Sequence, residues 1–335
     1  MYYSKSPTMA LTLVTLVLST LMALSSANWL FVWGAMELNL LSFIPIMMQT
    51  NNNQETEGSV KYFLAQALGS ALLLMSSTSL WMPFSLLHNF MPLILTAAIM
   101  LKLGSVPCHF WYPSVMASIS WISCLILSTW QKLAPLSILA FLLPQKNMNF
   151  IMSMAAMNAV VGGVMGMNQT QLRTIMAYSS IGHIGWMMSL AAIFKPSACI
   201  TYFAIYCMLI SPLFMSMSYL NMFSTKHLSK LSSYSSILHM SLMMIFLSLA
   251  GLPPLTGFMP KLMTIMLLVQ SMKIVMLILI MGSVMNLFFY LNIVITSMTL
   301  TSNQKQILPL VNKSSMKLII PASILSLGLS PLIIM

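Results

Sequence analysis

"TWQKLAPLSIL", residues 129–139, places Lys132 and Pro135 three residues apart inside a long apolar run. Proline lacks the amide hydrogen that a helix interior uses, and its ring crowds the carbonyl four residues back. Lysine at the centre of a lipid-spanning helix costs roughly 2.5–3.5 kcal/mol on insertion scales. The stretch therefore predicts a helix that breaks beside a charge it has taken out of water. The fold turns on whether the surroundings are lipid or a soluble core.

Composition answers lipid. Only 17 of the 335 residues are charged, 14 Lys or Arg and 3 acids, and 59% are hydrophobic. The mean hydropathy is +0.92. So few charges cannot clothe a soluble surface for a chain of this size. Apolar runs of about 20 residues, the length that crosses a bilayer, recur from end to end. The chain reads as an all-α polytopic membrane protein with one transmembrane domain over 1–335 and no soluble domain. The acids are Glu37, Glu55 and Glu57, with no Asp, and the net charge is +11. The cations are dispersed rather than clustered, which argues against nucleic acid as a partner.

Eleven spans are predicted: 8–26, 28–48, 59–82, 90–106, 114–143, 149–166, 171–193, 197–220, 236–270, 272–298 and 317–334. Two exceed one straight crossing. The run 114–143 is expected to break near Pro135, and 236–270 at "GLPP", 251–254. The stretches "QTNNNQETEG" 49–58, "LPQKN" 143–147 and "TSNQKQ" 301–306 read as loops. Eleven crossings put Lys5, Lys61, Arg173, Lys226, Lys230, Lys305, Lys313 and Lys317 on the side of the N-terminus, and Lys146, Lys195 and Lys273 on the other. That bias predicts an N-terminus facing the positive, inner compartment and a C-terminus facing the opposite one.

No loop claims Lys102, Lys132 and Lys261, nor Glu37, which is at least nine residues from either end of its span. Lys61 and Lys273 are near span ends and can snorkel to water. A static ion pair is the bland reading of a buried charge, but one acid cannot neutralise three lysines. Two unit charges ~4 Å apart at an effective dielectric of ~20 interact by about 4 kcal/mol. Moving one charge against an assumed ~150 mV costs about 3.5 kcal/mol, from ~2.3 per 100 mV. Displacing Glu37 relative to Lys102 is thus large enough to switch a lysine between holding and releasing a proton. A helix break beside each of Lys132 and Lys261 frees backbone groups that are tolerated at membrane depth only where they line a wet or protein-filled cavity. The segments "GSVPCHFWYP" 104–113 and "GLPPLTGFMP" 251–260 echo one another, as inverted repeats with broken helices would.

Other signals carry less. "VGGVMG" 161–166 follows no strand, and its glycines read as a close helix contact. His183 in "AYSSIGHIGW" is mid-span, and a relay role and a packing role are equally open; His109 reads as interfacial, and His88, His227 and His239 lie in or near loops. Cys108, Cys124, Cys199 and Cys207 form no CxxC pair and read as small packing residues. No histidine pair has metal or haem spacing, and the 37 methionines are apolar bulk. The start "MYYSKSPTM" has neither an Arg-rich presequence nor a clear cleavable signal.

Several stretches are specific enough to resemble a family. "ELNLLSFIPIMM" 37–48, "KLGSVPCHFWYP" 102–113, "LILSTWQKLAP" 125–135, "NQTQLRTIMAYSSIGHIGW" 168–186 and "GLPPLTGFMPK" 251–261 are similar to the mitochondrially encoded chain 2 family of NADH:ubiquinone oxidoreductase, the antiporter-like subunits of respiratory complex I. The resemblance implies an antiporter-like fold with inverted repeats, eleven helices remaining where three N-terminal helices of a fourteen-helix form are missing. It implies proton transfer by Glu37, Lys102, Lys132 and Lys261, with the redox activity belonging to the assembly. It implies no NADH, flavin, iron–sulfur cluster, ubiquinone or metal bound by this chain. Its partners would be other membrane-arm subunits, supernumerary subunits and lipids such as cardiolipin, in the mitochondrial inner membrane with the N-terminus on the matrix side. Two positions depart from the family pattern. Gly34 precedes the acid by three residues where two are expected, and Ser114 stands where many relatives carry an acid. The alternatives are a stand-alone cation/proton antiporter and a non-pumping structural subunit.

Overall fold

The computed structural model describes residues 7–49, 52–81, 90–141, 148–225 and 236–300. Within them the regular structure is helical: α1 Pro7–Ser25, α2 Trp29–Met47, α3 Asn53–Trp81, α4 Met91–Leu103, α5 Trp111–Ser118, α6 Trp121–Ser128, α7 Trp130–Phe141, α8 Met148–Met167, α9 Leu172–Ala192, α10 Pro196–Leu220, α11 Ser236–Ala250, α12 Phe258–Val269 and α13 Lys273–Leu300. No strand occurs among the described residues; the extended backbone makes one isolated antiparallel bridge, Gln171 with Ser224. Seven stretches are long and apolar enough to cross a membrane, and the halves of the broken helices supply shorter apolar pieces. The predicted span 317–334 lies outside the described residues.

Apolar side chains cover the outside as well as the inside. Leu11, Val14 and Leu18 of α1 and Ile274, Leu277 and Met281 of α13 are more than half exposed. Water would penalise such a surface, whereas lipid solvates it. The centre is α9, of whose 21 residues only Arg173, Thr174 and Tyr178 escape burial. It packs closely on α8, as "VGGVMG" predicts. A Cβ on Gly162 would come within 2.8 Å of the Gly182 nitrogen and the Tyr178 carbonyl oxygen, and one on Gly163 within 2.7 Å of Met285 on α13. Only glycine allows backbones to meet at that range.

The first break falls elsewhere than near Pro135. α7 runs through Pro135, and the irregularities nearby are a kink at Thr129 and an extended pair, Ile119–Ser120, between α5 and α6. A proline disturbs only the carbonyl four residues back, here that of Gln131 in the first turn of α7, where the helix has just begun, and it leaves the residues after it helical. Thr129 bonds its amide back to Leu125 while its carbonyl accepts the Lys132 amide at 3.3 Å. The full break is at 104–110, between α4 and α5. α3 serves as a ruler here. Its Gly69 lies against Leu101 and Lys102, its Gln66 bonds the Lys102 carbonyl, its Tyr62 ring is 5.8 Å from Trp111, and its Gly58 meets Ser118. α4 and α5 therefore lie end to end along one unbroken helix, as two halves of one crossing. The boundary between the fourth and fifth predicted spans moves, and their number does not.

The second break is where "GLPP" predicts it, between Ala250 and Phe258. Both breaks begin on a left-handed glycine, Gly104 at φ 71° and Gly251 at φ 84°, a backbone shape open to glycine without steric cost. The echo between 104–113 and 251–260 is thus the same structural device, a half-helix, a glycine turn and a second half-helix. In that alignment Ser114 takes the place of Lys261. Its hydroxyl donates to the Trp111 carbonyl at 2.9 Å.

Candidate functional site

Lys102, the penultimate residue of α4, is 6% exposed, Lys132 in the first turn of α7 is 2% exposed, and Lys261 in the first turn of α12 is 5% exposed. All three point inward rather than to lipid. Glu37 on α2 is half-buried. It acts electrostatically on Lys102, yet no ion pair within 4.0 Å joins them. Lys61 pairs instead with Glu57, 2.5 Å away and exposed. Lys61 and Lys273 are both solvent- or headgroup-facing, as expected of snorkelling residues.

Lys102 and Lys132 line the same cavity. It offers about 20 Å³ to water-sized molecules, room for one or two. Its walls include Asn39, Tyr62, Gln66, Tyr112 and Gln131. Three of them form a chain, in which the Tyr62 hydroxyl donates to Gln131 Oε1 at 3.3 Å and Gln131 Nε2 donates to Asn39 Oδ1 at 3.0 Å, while Gln66 Nε2 separately donates to the Lys102 carbonyl at 3.1 Å. The cavity is therefore polar between two cations, which is where mobile water is stable.

Beyond Lys132 the surroundings change to aromatic rings. Lys132 Nζ lies 4.9 Å from the Tyr112 ring centre and 5.5 Å from that of Tyr206. No hydrogen-bond partner for it occurs among the described residues. Cation–π attraction offsets only part of its lost hydration. The ring of His183, mid-way along α9, lies 5.1 Å from Tyr206, and its Nδ1 shares a 2.9 Å hydrogen bond with the Tyr202 hydroxyl. Both Lys132 and Lys261 are close enough to His183 to act on it electrostatically. Lys261 Nζ donates at 2.8 Å to the carbonyl of Ala250, the last residue of α11. That carbonyl is one the break leaves free, so the break supplies the acceptor for the lysine.

Other side chains hold the first break. Trp111 Nε1 donates to the Leu101 carbonyl at 3.2 Å and straps one half-helix to the other. Asn158 on α8 accepts the Val106 amide at 2.7 Å. Arg173 bonds the Ile119 carbonyl and covers the Phe223 ring, tying α9 to the α5–α6 junction. His109 belongs to this break and is 4% exposed, with Nδ1 3.2 Å from the Pro107 carbonyl oxygen. It is buried rather than interfacial, because 104–110 folds back against α3 and α8 instead of ending the span at a headgroup layer. Cys124 and Cys199 are buried as packing residues, whereas Cys108 is exposed. His239 is buried in α11, and His88 and His227 lie outside the described residues. No group of three His, Cys or acidic residues suited to a metal occurs among the described residues.

The sequence reading missed Asn39, Gln66, Gln131 and the tyrosines. A signal was present: Asn39 is two residues from Glu37, and Gln131 adjoins Lys132. Neutral polar residues in apolar spans are common, and only the packing of α2, α3 and α7 brings these onto one cavity.

An all-helical membrane fold with two broken helices and three buried lysines is that of an antiporter-like protein. A family model described as NADH:quinone oxidoreductase/Mrp antiporter, transmembrane, matches residues 26–286. The chain belongs to this family and, within it, to the NADH-ubiquinone oxidoreductase chain 2 proteins. It is 78% identical to the chain 2 protein of Lumbricus terrestris over all of both chains, and 42% identical to that of Struthio camelus over 84% of each. Its fold matches a chain of respiratory complex I from Thermus thermophilus with bound Aureothin at a TM-score of 0.87 and 22% identity, covering 98% of this chain and 79% of that one. The Mrp complex from Dietzia sp. DQ12-45-1b matches at 0.81 and 15% identity, covering 96% and 74%.

Proposed function

We propose that this chain moves protons through the membrane arm of NADH:ubiquinone oxidoreductase, as a subunit of that assembly, using Glu37, Lys102, Lys132 and Lys261, with His183 as a relay. The observation that carries the reading is the shared cavity of Lys102 and Lys132, continued through Tyr206 and His183 toward Lys261. Glu37 stands in reach of Lys102 without a closed pair, as a switch needs. The chain 2 relatives and the complex I fold match favour this reading over a stand-alone antiporter.

The chain itself makes up one antiporter-like domain and carries no redox centre. Ubiquinone reduction, NADH oxidation, flavin and iron–sulfur clusters belong to other subunits. Its partners are neighbouring membrane-arm and supernumerary subunits and lipids such as cardiolipin. It resides in the mitochondrial inner membrane with the N-terminus toward the matrix and the C-terminus toward the intermembrane space.

The test is Lys132→Met in the intact complex. Methionine keeps the stem and removes a buried charge that has no hydrogen-bond partner among the described residues, so assembly and thermal stability should be equal or better. Protons moved per NADH, or coupled turnover, should fall at least tenfold. A variant that assembles and pumps as the unaltered complex does would leave the chain a structural spacer. Recovery of the protein free of a large redox assembly, with cation/proton exchange of its own, would favour the antiporter reading.

A further inference from the structure

The gap between Lys132 and His183 is filled by one residue that touches both. Tyr206 on α10 has its ring 5.5 Å from Lys132 Nζ and 5.1 Å from the His183 ring. Its hydroxyl is buried and makes no hydrogen bond of full geometry among the described residues, with Ser180 the polar side chain beside it. The Tyr112 hydroxyl and Lys132 Nζ, grouped around the same contact, are in the same condition. A buried polar group left unpaired costs about 1–3 kcal/mol. If ring packing were the whole role, phenylalanine would fill the space without that cost, and α10 already uses one beside it at Phe203. Ser180 adjoins both tyrosines. It spends its own hydrogen on the Ala177 carbonyl at 2.7 Å, leaving its oxygen as an acceptor. The cavity lined by Lys132 and Tyr112 reaches this group, and a water at its end is the small polar molecule that fits a proton path.

His183 is prepared on its other side. Tyr202 lies one helical turn before Tyr206 on α10, so both reach the same helix. The Tyr202 hydroxyl engages Nδ1 at 2.9 Å, which leaves Nε2 as the nitrogen free to exchange a proton.

We propose that Tyr206 is a proton-transfer residue, its hydroxyl and a bound water linking Lys132 to His183. The inference rests on the reading of Lys132 as a proton carrier. In the step, the Lys132 ammonium gives one proton, through water, to the Tyr206 oxygen while the Tyr206 hydroxyl hydrogen passes, again through water, to His183 Nε2, with Nδ1–H donating to the Tyr202 oxygen. Lysine ends neutral, tyrosine is regenerated neutral with its hydroxyl turned, and histidine ends as the cation. One proton has moved, and only O–H and N–H bonds have changed.

The experiment uses the intact membrane complex carrying Tyr206→Phe, with Lys132→Met in parallel. Phe keeps the ring and its contact with Lys132 and removes only the hydroxyl. Coupled NADH:ubiquinone turnover in sealed vesicles should fall about tenfold or more, with an enlarged solvent deuterium isotope effect, while NADH oxidation by an artificial acceptor is unchanged. Turnover, pumping and isotope effect equal to the unaltered complex overturn the inference. If Lys132→Met alone is then defective, only the role of Tyr206 falls; if both variants pump normally, the reading of Lys132 falls with it. Should Tyr206→Phe fail to assemble, a high-resolution map of the unaltered complex decides. Water bonded to the Tyr206 hydroxyl and within reach of Lys132 or His183 supports the step, and a hydroxyl packed only on carbon overturns it.

Discussion

Gly251→Ala tests whether the second break positions Lys261. Gly251 sits at φ 84°, and a Cβ there would lie 2.7 Å from Lys261 Nζ and 3.1 Å from its Cδ and Cε. A left-handed alanine costs roughly 1–2 kcal/mol. The methyl group also displaces the ammonium from the Ala250 carbonyl, now 2.8 Å away; a hydrogen bond to a charged group contributes about 1.5–3 kcal/mol. The native arrangement is therefore disfavoured by about 2.5–5 kcal/mol, which at ~1.4 kcal/mol per factor of ten lowers its population by roughly 10²–10⁴. Gly34→Ala is the control, since a Cβ at Gly34 meets nothing within 4 Å. Both variants would be scored by native-gel assembly and by NADH-driven proton uptake into vesicles. Gly34→Ala should match the unaltered complex, and Gly251→Ala should assemble at a reduced level and pump poorly. Normal pumping by fully assembled Gly251→Ala would refute the claim that the break geometry sets the position of Lys261.

Two further variants address the scaffold. Asn158→Leu removes the acceptor of the buried Val106 amide, a loss of about 1–3 kcal/mol, and should lower the thermal midpoint of the complex and expose Cys108 to faster thiol labelling. Gly162→Val drives a branched side chain into the Gly182 and Tyr178 backbone. α8 and α9 cannot separate without opening the core, so the expected outcome is loss of the assembled complex on a native gel, with Gly34→Ala again as the tolerant comparison.

The lysines show how far sequence carries and why. Lys102, Lys132 and Lys261 were legible because a charge in an apolar run stands out against lipid. Glycine and proline at 104–113 and 251–260 stood out in the same way, as residues that change backbone conformation locally. His183 was visible only as an alternative, because one histidine in a span has no partner within its own helix. The tyrosines and amides were not singled out at all: Gln131 meets Asn39 across 92 positions and Tyr62 across 69.

Sequence alone determined the solvent of this protein, the approximate spans and the charges it buries. These depend on hydropathy and backbone chemistry, which act over one or two helical turns. The tertiary structure decided where the first helix breaks, that α7 runs on through Pro135, and that Lys102 and Lys132 share a cavity while Tyr206 lies against both Lys132 and His183. Those outcomes depend on which faces of α2, α3, α5, α7, α9 and α10 meet, and contact between faces is set by packing of the whole chain rather than by any one segment.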